Sequence, residues 1–213
     1  MEGIDSVQIR VLGCLLEKQQ TTPDAYPLSL NSLRLACNQS TSRNPVVEYD
    51  EATVREAAQK LGRRGWVRFT SSHGSRTPKY RHLLDEALDL PPDERGLLCV
   101  LMLRGPQTTG ELKQRSEKLH RYADLEAVEQ ALDRLTKREL GRWLERKPGQ
   151  KEARYMQLLQ DDRPAAGEPE APDSDPASPQ PPPDDLAAEL ALLRREIDAL
   201  REDFAALREQ LGG

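Results

Sequence analysis

The segment Thr53–Leu84 occurs twice, and that repeat constrains the fold more than any other feature of the sequence. Shifted by 74 residues, Val54, Ala57, Ala58 and Leu61 fall on Val128, Ala131, Leu132 and Leu135. The same shift carries Arg64 onto Arg138, Arg68 onto Arg142 and Phe69 onto Trp143. With one residue of slip, Tyr80, Leu83 and Leu84 fall on Tyr155, Leu158 and Leu159. Two copies are too few for a solenoid. They fit two related domains in tandem.

Each copy can be read locally. Val54, Ala57, Ala58 and Leu61 recur at i, i+3, i+4 and i+7, the apolar face of a helix. Gly65 ends that helix, because glycine accepts the positive φ of a C-terminal cap. Trp66–Thr70 reads as a strand, Ser72–Ser75 as a turn, and Lys79–Arg81 as the start of a return strand. Helix, tight turn and hairpin are how a winged-helix module ends.

Upstream, Asp5–Gln19 predicts a first helix with Val7, Val11, Leu12, Leu15 and Leu16 as its stripe, capped by Asp5 or Ser6. Tyr26-Pro27-Leu28 is extended. Ser29 caps a second helix, Leu30–Asn38, and Gln39–Asp50 is a polar loop. Asp50 or Thr53 caps the third helix. The second half repeats the order, with helices at Glu94–Arg104, Gly110–Leu119 and Leu125–Arg138. Strands around Arg142–Leu144 and Arg154–Met156 follow, joined through Pro148-Gly149. The expected class is mainly α with small β-wings, an α+β fold of two winged-helix domains, 5–88 and 91–160.

The rest of the chain differs in composition. Residues 161–184 are acidic and rich in Pro, Ala and Ser, which predicts a disordered linker. Residues 185–211 predict a coiled-coil helix. Leu186, Leu190, Leu193, Ile197, Leu200, Phe204, Leu207 and Leu211 alternate in steps of four and three, an unbroken heptad seam. In a parallel pair, Glu189, Glu196 and Asp203 face Arg194, Arg201 and Arg208 of the other helix. An antiparallel pair sets like charges together. The pattern points to a dimer through a parallel coiled coil; a single amphipathic helix docked on the domains is the alternative.

The net charge of −5 hides an asymmetry. From Asp161 onward there are 14 acidic and 5 basic residues, whereas residues 1–160 hold 22 acidic and 26 basic. The segment 43–81 is the most basic, with nine cations to four anions. Winged helices commonly lay the third helix in the DNA major groove and the wing along the backbone. Duplex DNA is therefore the expected partner. Arg55 and Gln59 sit where base edges are read, Lys60, Arg63 and Arg64 follow along the helix, Arg76 and Lys79 are on the wing, and Arg43 precedes the helix. In the second copy Asp124, Glu126, Glu129 and Asp133 crowd the front of the third helix and repel phosphate. Its wing is basic through Arg142, Arg146, Lys147, Lys151 and Arg154. That domain is expected to touch the DNA backbone by its wing or to bind a protein.

Other classes find little support. No phosphate-binding Gly-rich loop or G-x-S-x-G occurs, nor a His–carboxylate pair at a plausible spacing, so no enzyme, cofactor or catalytic residue is expected. Cys14, Cys37 and Cys99 sit at no metal-ligand spacing to His73, His82 or His120. Cys14 and Cys99 lie in apolar runs and read as small buried hydrophobes. No apolar run is long enough for a membrane span, and the start MEGIDSVQIR lacks a signal-peptide pattern. A cytoplasmic protein is expected.

The run R-V-L-G-C-L-L-E-K-Q-Q-T-T-P-D-A-Y-P-L-S-L-N-S-L (Arg10–Leu33), with A-C-N-Q (Ala36–Gln39) and R-N-P-V (Arg43–Val46), resembles the YceH-like family of bacterial proteins. Leu97–Leu112 and Pro148–Leu159 are similar to its second half. The resemblance covers about residues 5–160. It implies a tandem winged-helix fold and a DNA-binding or regulatory role, without an assigned activity. Ser40-Thr41-Ser42 stands where the family has a Lys; if that Lys contacts phosphate, the contact is missing here. Asn31, Asn38, Gln39 and Arg43 of the marker stretch either form a binding surface or only cap the second helix and pin its loop.

The leading expectation is a dimeric DNA-binding transcriptional regulator. The alternative is a protein-interaction scaffold, such as tandem winged helices form in chromosome-organising complexes. A small-molecule or redox sensor using Cys37 is a third.

Overall fold

The computed structural model of the chain describes residues 3–70, 78–146 and 152–160. The expected linker, the heptad seam 186–211, and Arg76, Lys147 and Lys151 lie outside the described residues.

The first repeat opens with α1 (Ser6–Thr21), started by a capping box. Gln8 N donates to Asp5 Oδ1 at 2.7 Å, and Asp5 N donates back to Gln8 Oε1 at 3.0 Å. A short β1 (Leu28–Ser29) leads into α2 (Leu30–Cys37), capped by Ser29. α3 (Glu51–Arg63) is capped by Asp50 and buries Val54, Ala57, Ala58 and Leu61, the stripe that the spacing predicts. β2 (Val67–Thr70) pairs antiparallel with β3 (Lys79–His82), which also pairs with β1, giving the order β1-β3-β2. A short helix that the sequence reading does not foresee, α4 (Leu84–Leu88), follows; its Leu84 is buried.

The second repeat has α5 (Pro92–Arg104), α6 (Thr109–Arg115) and α7 (Leu125–Lys137). The strands β4 (Gly141–Trp143) and β5 (Tyr155–Gln157) pair antiparallel, with Trp143 opposite Tyr155. The counterpart of β1 survives as one bridge, Gln107 to Tyr155. α6 ends four residues earlier than expected. The Ser116 hydroxyl turns back to Leu112 O at 2.6 Å, and Leu119 N and His120 N both donate to Ser116 O in a tight turn.

Both third helices end in the same way. After α3, Gly65 takes φ 79°, with Trp66 N on Leu61 O at 3.0 Å and Gly65 N on Gly62 O at 3.0 Å. After α7, Glu139 takes φ 55°, with Leu140 N on Leu135 O at 2.9 Å and Glu139 N on Thr136 O at 3.0 Å. These are Schellman caps, with glycine in one copy and a left-handed glutamate in the other.

The two repeats share one core. α1 packs on α5, and the buried apolar residues form a single cluster running from Ile4 to Leu159. Accordingly α1 is buried from Gln8 to Leu16 and α5 from Gly96 to Leu103, on all sides rather than along one stripe. The helices cross closely at Gly13: a Cβ there would meet the Leu103 side chain at 2.9 Å and Met102 Cβ at 3.1 Å. Cys99 Sγ donates to Gly13 O at 3.4 Å across the crossing. All three cysteines are free and buried. Ile4 N donates to Leu159 O at 2.9 Å, tying the two ends of this unit.

Candidate nucleic-acid interface

α3 turns its apolar stripe inward, so the opposite side faces solvent. Arg55, Gln59, Lys60 and Arg63 are all exposed on it. Arg55 lies 3.7 Å from Glu51, and Lys60 lies 3.1 Å from Glu56 and 3.9 Å from Asp5. Exposed pairs of this kind hold their partners by about 1 kcal/mol or less. An incoming phosphate can exchange with them. Arg64 lies over the Trp66 ring, 4.2 Å from its centroid, at the start of the hairpin. In the hairpin, Arg68 and Lys79 are exposed, and Arg81 pairs with Glu86 at 2.8 Å.

Arg43 departs from the expectation. Its side chain is 0% exposed. The guanidinium forks onto both Glu17 oxygens at 3.0 and 2.7 Å. It also donates to Ala36 O, Ser42 O and Gln39 Oε1. With its donors spent inside, Arg43 offers nothing to a phosphate. Burial opposes its charge, but the hydrogen bonds to Glu17 outweigh that and push its pKa up. In the same contact Glu17, which burial alone would raise, is held below the usual carboxylate range.

The neighbouring marker residues are structural as well. Asn38 Nδ2 donates to Tyr49 O at 2.8 Å, and Tyr49 N donates to Asn38 Oδ1 at 2.9 Å, closing the loop before α3. Gln39 joins Lys18 to Arg43. Arg10, buried beneath, donates to Cys37 O and Pro45 O at 3.1 and 2.5 Å. The loop is seated on the second repeat too, with Asn44 N on Leu103 O at 2.9 Å and Arg104 on Ser42 Oγ at 2.7 Å. Asn31 is exposed and bonds Arg34.

The second repeat spends its helix cations differently. Glu94 of α5 is buried, its side chain 2% exposed, between Arg134 at 2.9 Å and Arg138 at 2.6 Å. Arg134 also pairs with Asp93, and Arg138 reaches Leu88 O and Asp89 O. What α7 leaves exposed is Leu125, Glu126, Glu129, Gln130, Asp133, Thr136 and Lys137. Arg142 and Arg146 are exposed on the hairpin, whereas Arg154 is drawn to Glu111 at 3.2 Å and Pro106 O at 3.1 Å.

Two exposed residues that the charge-led reading passes over are Phe69 and Trp143, at equivalent places in β2 and β4. The signal was available in the repeat itself, which aligns the two positions. His82 is buried: its Nε2 hydrogen-bonds with Gln19 Oε1 at 2.6 Å, and its Nδ1 lies 3.5 Å from Asp85 Oδ1 with no hydrogen bond. Burial pushes its pKa down to about 4. Among the described residues, no three His, Cys, Asp or Glu side chains gather as a metal-ligand set. Nor, among them, is any helix long and apolar enough to cross a membrane.

A family described as "Protein of unknown function, DUF480" matches residues 4–150 of the chain. A UPF0502 protein of Geotalea uraniireducens is 47% identical over 93% of this chain and 90% of its own length. One from Dechloromonas aromatica is 49% identical over 72% of each chain. One from Shewanella loihica is 41% identical over 96% of this chain and 97% of its own.

Proposed function

From the premise that the chain belongs to the DUF480 family, as the YceH-like resemblance implies, we propose that it is a double-stranded DNA-binding protein of two winged-helix modules that acts in transcriptional regulation. The observation that carries this is the solvent face of α3. Arg55, Gln59 and Arg63 are exposed there, on a helix whose other side is locked in the core and whose end abuts a basic hairpin. A rigid helix with an arginine and a glutamine outward suits major-groove readout, since those side chains pair bidentately with guanine and adenine. Lys60, Arg63, Arg64 and Lys79, with Arg76 of the wing, hold phosphates in this reading; Arg142, Lys147 and Lys151 do so from the second wing. The reading needs neither a cofactor nor catalysis, and it places the protein with the genome in the cytoplasm.

A mobility-shift titration with duplex DNA at rising salt tests it. Several phosphate contacts predict an affinity falling by about a thousandfold or more between roughly 50 and 200 mM salt. No shift, or one indifferent to salt, would sink the reading. The seam 186–211 joins two copies in parallel, and placing lysine at Leu193 and Leu200 should turn a dimer into a monomer in sedimentation. A variant that stays fully dimeric removes the coiled coil as the dimer contact.

A protein-interaction scaffold is favoured by one specific observation, the pairing of Arg134 and Arg138 with Glu94, which leaves the front of α7 acidic. A stoichiometric protein partner that survives nuclease treatment in a pull-down supports it. Loss of all partners on nuclease treatment counts against it.

A further inference from the structure

In each repeat an aromatic ring stands partly in solvent on the first strand of the hairpin, close behind the third helix. Phe69 of β2 is 44% exposed and Trp143 of β4 is 37% exposed. Each is braced edge-on by a buried tyrosine directly across the hairpin, Tyr80 for Phe69 and Tyr155 for Trp143. The ring centroids are 5.2 Å apart in both pairs, at interplanar angles of 71° and 85°. The third helix supplies a second brace. The Phe69 ring lies so close to Gly62 of α3 that a Cβ there would approach it to 2.7 Å. At the equivalent place in α7, the Thr136 hydroxyl lies 2.9 Å from the Tyr155 hydroxyl and fixes the tyrosine behind Trp143.

The chemistry around the two rings is also repeated. An exposed arginine precedes each in the strand, Arg68 in one and Arg142 in the other, and the alternation of a strand turns it to the opposite face from the ring. A single exposed apolar residue needs no explanation. A ring held by an edge-on tyrosine in the same place twice, with an arginine on the other face of the strand both times, does. Core packing accounts for only part of each ring, because 44% of Phe69 and 37% of Trp143 stay exposed.

We infer that Phe69 and Trp143 are nucleic-acid contacts. Each ring packs on the sugars and base edges of duplex DNA while the neighbouring arginine, on the other face of the strand, holds a phosphate. Duplex DNA offers apolar sugar and base surface flanked by phosphate, and a hairpin strand that carries an aromatic side chain on one face and a cation on the other matches that pairing. This rests on the DNA-binding reading above and extends it. The second repeat then meets DNA through its hairpin although the front of α7 is acidic. The binding surface consists of two ring–arginine pairs added to the face of α3.

Trp143 reports on its own contact, because the other tryptophan of the chain, Trp66, is 5% exposed. A mixed-sequence duplex titrated into the full chain should quench tryptophan emission, and the change should vanish in Trp143→Phe. Phe69→Leu and Trp143→Leu should each weaken binding about tenfold with the salt slope unchanged. Arg142→Gln should lower that slope by about one. The ring-retaining variants Phe69→Tyr and Trp143→Tyr should bind as the parent does, which separates loss of the ring from loss of the fold. A duplex that shifts the protein while Trp143 emission and the affinities of both Leu variants stay unchanged overturns the inference and leaves the DNA-binding reading intact. Absence of any shift at low salt removes both.

Discussion

Arg43 and His82 show how burial decides what a polar side chain can do. Arg43 brings its charge inside and needs Glu17 to keep it there. Replacing it with methionine keeps most of the volume but removes the fork on Glu17 and leaves that carboxylate with Lys18, at 3.2 Å, as its cation. Breaking a buried pair from one side costs about 3 kcal/mol. Urea unfolding of Arg43→Met should show that loss, while the folded variant keeps its affinity for DNA. A stable variant with weakened DNA binding would return Arg43 to the interface. His82 makes a prediction about pH. Its folded pKa of about 4 lies below the ordinary value of 6.5, so the unfolded chain takes up the proton first. Stability is therefore full above about pH 6.5 and falls as the pH drops toward 4. The total contribution is about 3 kcal/mol at the usual 1.36 kcal/mol per unit. Burial is the main cause; Asp85 opposes it, and Arg95 and Arg81 reinforce it. Denaturation between pH 7 and pH 4 should show a steeper loss for the parent than for His82→Gln. Parallel profiles would mean that His82 does not set this dependence.

The third helices carry the clearest lesson about elements. Their stripes, their N-caps Asp50 and Asp124, and their stop points are set by residues a few positions apart, so they could be read directly. The C-caps are less equal than the alignment suggests. Gly65 enters the left-handed region freely, whereas Glu139 enters it at a cost of about 1 kcal/mol. Glu139→Gly should relieve that strain and raise stability by up to that amount in urea titration; Gly65→Ala should lower it by a similar amount. An unchanged midpoint in both would show that the cap does not limit the helix end. α4 and the early end of α6 were not legible. The five-residue α4 is too short to show a period, and α6 stops on one Ser116 hydroxyl bond that no apolar spacing announces.

At the scale of the molecule, the two repeats are joined through the crossing of α1 and α5. The sequence shows two copies of one pattern, which suggests two cores. The structure has one, because both helices bury every side against each other and their own repeats. The continuous run Leu97–Leu103 was the available sign, since a helix apolar all round is a helix buried all round. Gly13 makes the crossing possible. Gly13→Leu should overpack it and lower stability by about 1–3 kcal/mol. Far-UV circular dichroism and Trp fluorescence should still report one shared transition. Two separated transitions would mean that the repeats fold independently.

The sequence by itself determined the repeat, the helices with their caps, the hairpins and the basic character of the first copy. All of these depend on residues near one another along the chain. Only the tertiary structure decided which cations are available. Arg55 and Arg63 stay outside because their helix buries its other face. Arg43 is drawn in by Glu17, 26 residues away, and Arg138, though exposed, is paired by Glu94, 44 residues away. Local spacing carries no trace of partners that distant, so charge could be counted from the sequence but its direction could not.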